Sequence, residues 1–196
     1  MSWMDANQLL VKEHYGLFKA ASNYDIFDLS TGEQLLECRE PHLGTLTKMA
    51  RFHEDYRRMT PFDIRITDMS GQEVLQVKRG MTIFISKVAV HDGDGEVLGG
   101  FKQKIFSIGG AFSVHDAHGQ EVCHLKGKWT GWEFQFLAHG VQLARVTKKW
   151  KGMGQELFTT ADNYVLEIDD AVAADSPTRK LILAAVMCID MVLKEK

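Results

Sequence analysis

The residue types that do chemistry are all present in this chain, but few stand at the spacings that chemistry needs. His91 and His115 each precede a turn aspartate. That would suit a metal pair, yet equivalent places in a repeat read first as repeated hairpin geometry. His115-x-x-His118 spans a turn and has no third or fourth ligand at metal-site spacing. Asp92-Gly93-Asp94-Gly95-Glu96 opens like an EF-hand loop. The bidentate glutamate required at loop position twelve would be residue 103, which is Gln103, so a turn is the better reading. Neither G-x-S-x-G nor H-E-x-x-H occurs. Cys38, Cys123 and Cys188 are far apart and form no C-x-x-C pair, which argues against a disulfide framework or zinc ribbon and for a reducing compartment. The sequence therefore reads as a non-enzymatic protein with no obligate cofactor.

The charges carry more information. The 196 residues hold 23 Lys and Arg against 26 Asp and Glu, a net of −3, so no global basic field exists. The distribution is uneven. Residues 99–151 carry eight basic and three acidic residues, whereas 152–176 carry six acids and no Lys or Arg. Lys126-Gly127-Lys128-Trp129 and Lys148-Lys149-Trp150-Lys151 mix cations with tryptophan. Lysines near an anionic membrane contribute ~1 kcal/mol each, and tryptophan favours the interfacial zone. Lys126, Lys128, Arg145, Lys148, Lys149 and Lys151 are the candidate headgroup-binding residues. The competing readings are a solvated strand face, or a scaffold whose basic strands meet a protein or the phosphates of a nucleic acid.

The elements that must position these residues are announced by turns. Asp68-Met69-Ser70-Gly71, Asp92-Gly93-Asp94-Gly95 and Asp116-Ala117-His118-Gly119 share a D-x-x-G form, with aspartates 24 residues apart. Asp28 to Gly32 is one residue longer, and Leu137-Ala138-His139-Gly140 keeps only the glycine. Alternating apolar runs flank each turn, as in Phe62, Ile64 and Ile66 before Asp68 and Val74, Leu75 and Val77 after it. Period-two alternation around Asp/Gly turns predicts at least five hairpins in series, hence a sandwich or a closed barrel. One domain over residues 1–196 fits the length.

Two segments break the alternation. Residues 42–58 show apolar residues at helical steps and predict an amphipathic segment against the sheet. Ser176-Pro177-Thr178 then opens a helix near 177–194, whose 13 residues from Leu181 to Leu193 hold one charge, Asp190. A helix apolar all round is buried all round. The run spans only ~20 Å, short of a ~30 Å hydrocarbon layer. It therefore reads as a helix threaded through a barrel, not as a transmembrane anchor, with Asp190 in a hydrogen-bonded structural role.

Further residues carry a family resemblance. Lys149-Trp150-Lys151-Gly152 and then Phe158-Thr159-Thr160-Ala161-Asp162-Asn163-Tyr164 resemble phospholipid scramblases and their tubby-like, LURP-one-related relatives. Ile189-Asp190 in the last helix, and Thr60-Pro61-Phe62-Asp63-Ile64-Arg65-Ile66 earlier, fit the same pattern. The resemblance implies a twelve-stranded barrel around a hydrophobic C-terminal helix, and possible linkage to phospholipid scrambling. It also implies an acidic calcium loop before that helix. The loop's first aspartate falls on Thr160, which leaves Asp162, Glu167, Asp169 and Asp170 as a weak calcium set. The Pro-rich tail and cysteine cluster of animal scramblases are missing, with Lys78 to Phe84 where the cysteines would stand. No signal-peptide pattern, N-terminal glycine or prenylation box is seen, so the expectation is a cytoplasmic protein, peripheral to the membrane.

Overall fold

A computed structural model describes residues 2–13, 23–41, 44, 47, 60–81, 87–103, 111–128, 132–148 and 163–193; the side chains at 103, 128, 188 and 190–193 fall outside that description. The segment expected at 42–58 lies almost wholly outside it.

Twelve antiparallel strands close into a barrel in which every strand pairs with its sequence neighbours and β1 closes on β12. They are β1 (Gln8–Glu13), β2 (Tyr24–Asp28), β3 (Gln34–Arg39), β4 (Phe62–Asp68), β5 (Glu73–Arg79), β6 (Lys87–Asp92), β7 (Val97–Gln103), β8 (Ala111–Asp116), β9 (Glu121–Lys128), β10 (Glu133–Ala138), β11 (Val141–Thr147) and β12 (Tyr164–Ile168). One helix, α1 (Pro177–Leu193), follows.

The turns form as their chemistry dictates. Asp68 Oδ1 accepts the N–H groups of Ser70 (2.9 Å) and Gln72 (3.0 Å), and Asp92 and Asp116 hold their turns the same way. Gly71, Gly95 and Gly119 close them with φ of 86°, 86° and 80°, a region a β-carbon disfavours. Each of these hairpins, and the two at Gly32 and Gly140, carries one register shift, with the extra residue on its outgoing strand. His91 and His115 stand at that shift on the incoming strands of their hairpins, which accounts for their equivalence in sequence. At His139-Gly140 both central residues have positive φ, 50° and 83°, as a type I′ turn requires.

Because hairpins alternate with longer connections, the five tight turns share one end of the barrel, here the turn end. The start of β1, the end of β12 and the start of α1 join them there: Leu29 N–H donates to Gln8 O, and Arg179 of α1 reaches Ala6 O. The other end, the loop end, receives the remaining strand termini.

Inward positions are apolar and sealed: Ile26, Leu36, Ile64, Val77, Val90, Phe112, Phe136 and Leu166 are all at 0% exposure. Outward positions carry Asp25, Glu37, Arg39, Asp63, Arg65, Lys102, Lys126 and Arg145, except on β1 and β12, where Leu10 and Val165 point outward and are covered. The helix fills the lumen. Leu181 through Met187 are buried on every face, and α1 lies nearest β5, β7 and β8. Inward-facing Gly99 leaves β7 without a side chain there; a β-carbon on it would sit 2.0 Å from His115 O. Ser176 caps α1, its Oγ accepting Arg179 N–H at 3.2 Å. Cys38 lies in the lumen with Sγ 3.3 Å from Met187 Sδ, and burial raises its thiol pKa. Burial also pushes the Cys123 thiol up to about 12. Both thiols are therefore protonated and poorly nucleophilic at neutral pH.

Two turn carboxylates make stability depend on acid. The Ser30 hydroxyl, then the Thr31 N–H, holds Asp28 below the ordinary carboxylate range, and the Ser70 hydroxyl does so for Asp68. Their stabilisation is complete above the unfolded pKa of about 3.9 and is lost as pH falls through the lower folded values. Urea midpoints therefore fall between pH 6 and pH 3. A D28N/D68N double variant shows a shallower fall; an unchanged slope would contradict this origin.

Candidate functional site

The loop end of β9, β10 and β11 brings together Lys126, Lys128, Arg145 and Lys148, four of the six basic residues marked in the sequence. Lys126 stands opposite Gln135, Lys128 opposite Glu133, and Arg145 opposite both Gln135 on β10 and Glu167 on β12. One outward ladder therefore crosses β9 to β12.

The six candidates are not equivalent. Lys126 is exposed and makes no ion pair among the described residues. Arg145 is half-buried and already paired, its Nη2 3.1 Å from Glu133 Oε1. Lys148 lies on an aromatic pair, with Nζ 3.3 Å from the Trp132 ring centre and 5.1 Å from that of Tyr164. The two rings are 5.7 Å apart. Trp132 adopts φ 48°, an uncommon conformation for a large side chain, and its carbonyl accepts Lys148 N–H at 3.2 Å. Cation–π contact holds this ammonium at the barrel end without neutralising it. Lys128 is placed on β9 by its backbone, while Lys149 and Lys151 lie outside the described residues.

The weak calcium set is dispersed among other tasks. Asp169 Oδ1 accepts Ala171 N–H at 3.0 Å, Asp170 accepts from Asn7, Glu167 faces Arg145 and Gln8, and Asp162 lies outside the described residues. Among the described residues no group of three or more His, Cys, Asp or Glu is placed to hold a metal ion. His115 instead contacts Ser113 Oγ through Nε2 (2.8 Å) and Gly119 O through Nδ1 (3.0 Å). With Nδ1–H donating to the carbonyl, Nε2 accepts the hydroxyl proton.

Two arginines went unmarked in the sequence. Arg79 is buried at the loop end, 4.7 Å from the Phe62 ring centre, donating to Thr60 O at 2.7 Å. Arg179 is 2% exposed at the turn end, where its guanidinium donates to Ala6 O, Asn7 Oδ1 and Val172 O. A lone arginine in an apolar helix is the only available sequence signal for the second.

A family model described as Scramblase matches residues 12–196. The chain belongs to the Scramblase family. The human phospholipid scramblase family member 5 is 22% identical over 120 residues, 54% of this chain and 44% of that protein. Human phospholipid scramblase 2 is 23% identical over 154 residues, covering 71% and 51%. This Scramblase-family chain thus spans about half the length of the curated relatives it matches. An X-ray structure of a protein from Arabidopsis thaliana superposes with a TM-score of 0.54 at 16% identity, covering 94% of this chain and 91% of that one. That likeness extends to the barrel and its central helix. Among the described residues no helix is long and apolar enough to cross a membrane.

Proposed function

We propose that this protein is a non-enzymatic module that binds anionic phospholipid headgroups at the cytoplasmic membrane face. Lys126, Lys128, Arg145, Lys148, Lys149 and Lys151 are its basic contacts. The observation that carries the reading is the cationic, aromatic edge at the loop end of β9 to β11, where Lys126 makes no ion pair among the described residues and Lys148 rides on Trp132 and Tyr164. Membership of a family whose human relatives are named for phospholipids supports the same ligand class.

Two features favour a surface role over a conduit. The lumen is filled by α1, whose residues 181–187 are at 0–5% exposure, which leaves no polar path through it among the described residues. The wall is also apolar inside and largely polar outside, the reverse of barrels that cross a bilayer with strands. Any link to scrambling then rests on binding at the surface.

Co-sedimentation with vesicles tests this reading. Anionic vesicles are expected to pull down the protein at low salt and to release it at high salt, while neutral vesicles leave it in solution with or without calcium. A steep salt slope for an oligonucleotide with no vesicle binding would replace the lipid with a nucleic acid. A calcium requirement would return attention to Asp162 and its neighbours.

A further inference from the structure

We infer that the docking face is wider than the marked residues and fixes the barrel's orientation: Lys78, Lys87 and Lys102 extend it across β5, β6 and β7, so that the loop end meets an anionic bilayer and the turn end faces away. This rests on the lipid-binding reading above.

The four lysines come from four strands and share one outward face. Lys87 on β6 stands directly opposite Lys102 on β7. Lys78 on β5 stands opposite Ala89, which makes it a diagonal neighbour of Lys87. Lys126 on β9 stands opposite Ala111 of β8, two strands beyond Lys102. All four are exposed, and none makes an ion pair among the described residues. The nearby carboxylates have other partners. Asp63, opposite Lys78, accepts from Gln76 at 2.7 Å, and Glu133 pairs with Arg145 at 3.1 Å. Like charges directly opposite on a sheet are destabilising. A wall that leaves the Lys87–Lys102 pair without a counter-charge among the described residues is arranged for an anionic surface outside it.

One exposed apolar side chain stands beside these lysines among the described residues. Met81 follows β5 at 79% exposure, three residues from Lys78. In sequence, the chain joining β5 to β6 contains Ile83, Phe84 and Ile85.

The opposite end supplies the orientation. Its turns and termini (residues 2–8, 28–34, 68–73, 92–97, 116–121, 138–141 and 168–180) hold thirteen Asp and Glu against Arg179 and Lys180, a net of −11. The described residues outside that end carry a net of +3. Among the described residues, negative charge is concentrated at the turn end, while the exposed Lys78, Lys87, Lys102 and Lys126 stand toward the loop end. An anionic bilayer attracts the loop end and repels the turn end. A bilayer fits this row better than a narrow polyanion, because the lysines spread laterally over five strands.

Two charge-matched variants test the proposal on the full chain. K78Q/K87Q/K102Q removes three positive charges from the face and leaves the β9–β11 residues intact. Q72E/Q120E/Q142E adds three negative charges at exposed turn-end positions. Partition onto vesicles of mixed neutral and anionic phospholipid is expected to fall about 100-fold in the first variant, from the contribution of each lysine near such a surface. The second should stay within about twofold of wild type. Equal losses would show that net charge alone governs binding and would overturn the face. Wild-type binding with no loss in K78Q/K87Q/K102Q would overturn it too. Failure of the wild type to bind any anionic vesicle would instead remove the lipid reading on which it rests. Unchanged urea midpoints in both variants confirm that folding is not what is measured.

Discussion

A chain that ends at Asp175 will not form the barrel: it will show no cooperative thermal transition and will aggregate or remain unfolded. The expectation follows from what the last helix replaces. Leu181, Ile182, Leu183, Val186, Met187 and Ile189 are each 0–5% exposed inside the strands. Burying one such side chain contributes about 1.5–3 kcal/mol, so six contribute roughly 9–18 kcal/mol. A whole domain is stable by only about 5–15 kcal/mol. Removing α1 also opens the sealed inner faces of Ile64, Val77, Val90 and Phe112 to water. A point variant gives the same test in graded form. Leu183→Ala should cost about 2–5 kcal/mol by leaving a cavity that the barrel cannot collapse around. If the helix were an anchor attached to a finished domain, truncation would release a soluble fragment with a cooperative transition. That outcome would contradict the plugged barrel.

Arg179→Ala should lower stability by about 3 kcal/mol, a drop of about 6–12 °C in melting temperature for a chain of this size. The guanidinium ties the start of α1 to the chain before β1 and to the segment that follows β12. It donates to Ala6 O and Asn7 Oδ1 before β1 and to Val172 O after β12. Asn7 in turn donates to Asp170. The contact therefore fastens the plug to the point where the first and last strands close the barrel. Burial lowers the Arg179 pKa while Asp5 opposes that shift, and a guanidinium still stays charged at neutral pH. Truncation leaves two buried carbonyls without donors, each costing about 1–3 kcal/mol. Arg179→Lys should recover only part of the loss, because one ammonium cannot span the separated acceptors that the planar fork reaches. Equal stability of wild type and Arg179→Ala, measured by urea denaturation, would show that the closure is held elsewhere.

The fold was largely legible because its signals are local. A turn aspartate bonds backbone two to four residues on, and the glycine beside it supplies positive φ, so each hairpin announces itself within six residues. The helix was legible from its polarity: only a surround of apolar strands accounts for a run with no wet face. The site was less so, because the sequence groups neighbours along the chain whereas a barrel groups them across it. Lys148, Lys149 and Lys151 looked like one cluster by adjacency. Lys87 and Lys102 became neighbours only through the β6–β7 register. Arg145 stands among the basic candidates in sequence, and only the β10–β11 pairing sets Glu133 beside it. Arg179 was opaque for the same reason, its partners lying 172 and 173 residues away.

Lysine footprinting of the wild-type chain on vesicles tests most directly the claim that this closed barrel binds membranes through its loop end. The protein is acetylated briefly with anionic vesicles, with neutral vesicles or with none, and modification is read residue by residue. Several-fold slower acetylation of Lys78, Lys87, Lys102 and Lys126 is expected with anionic vesicles only, and an unchanged rate at Lys180 on the turn end. Uniform protection of all five lysines, or protection confined to Lys180, would contradict that claim.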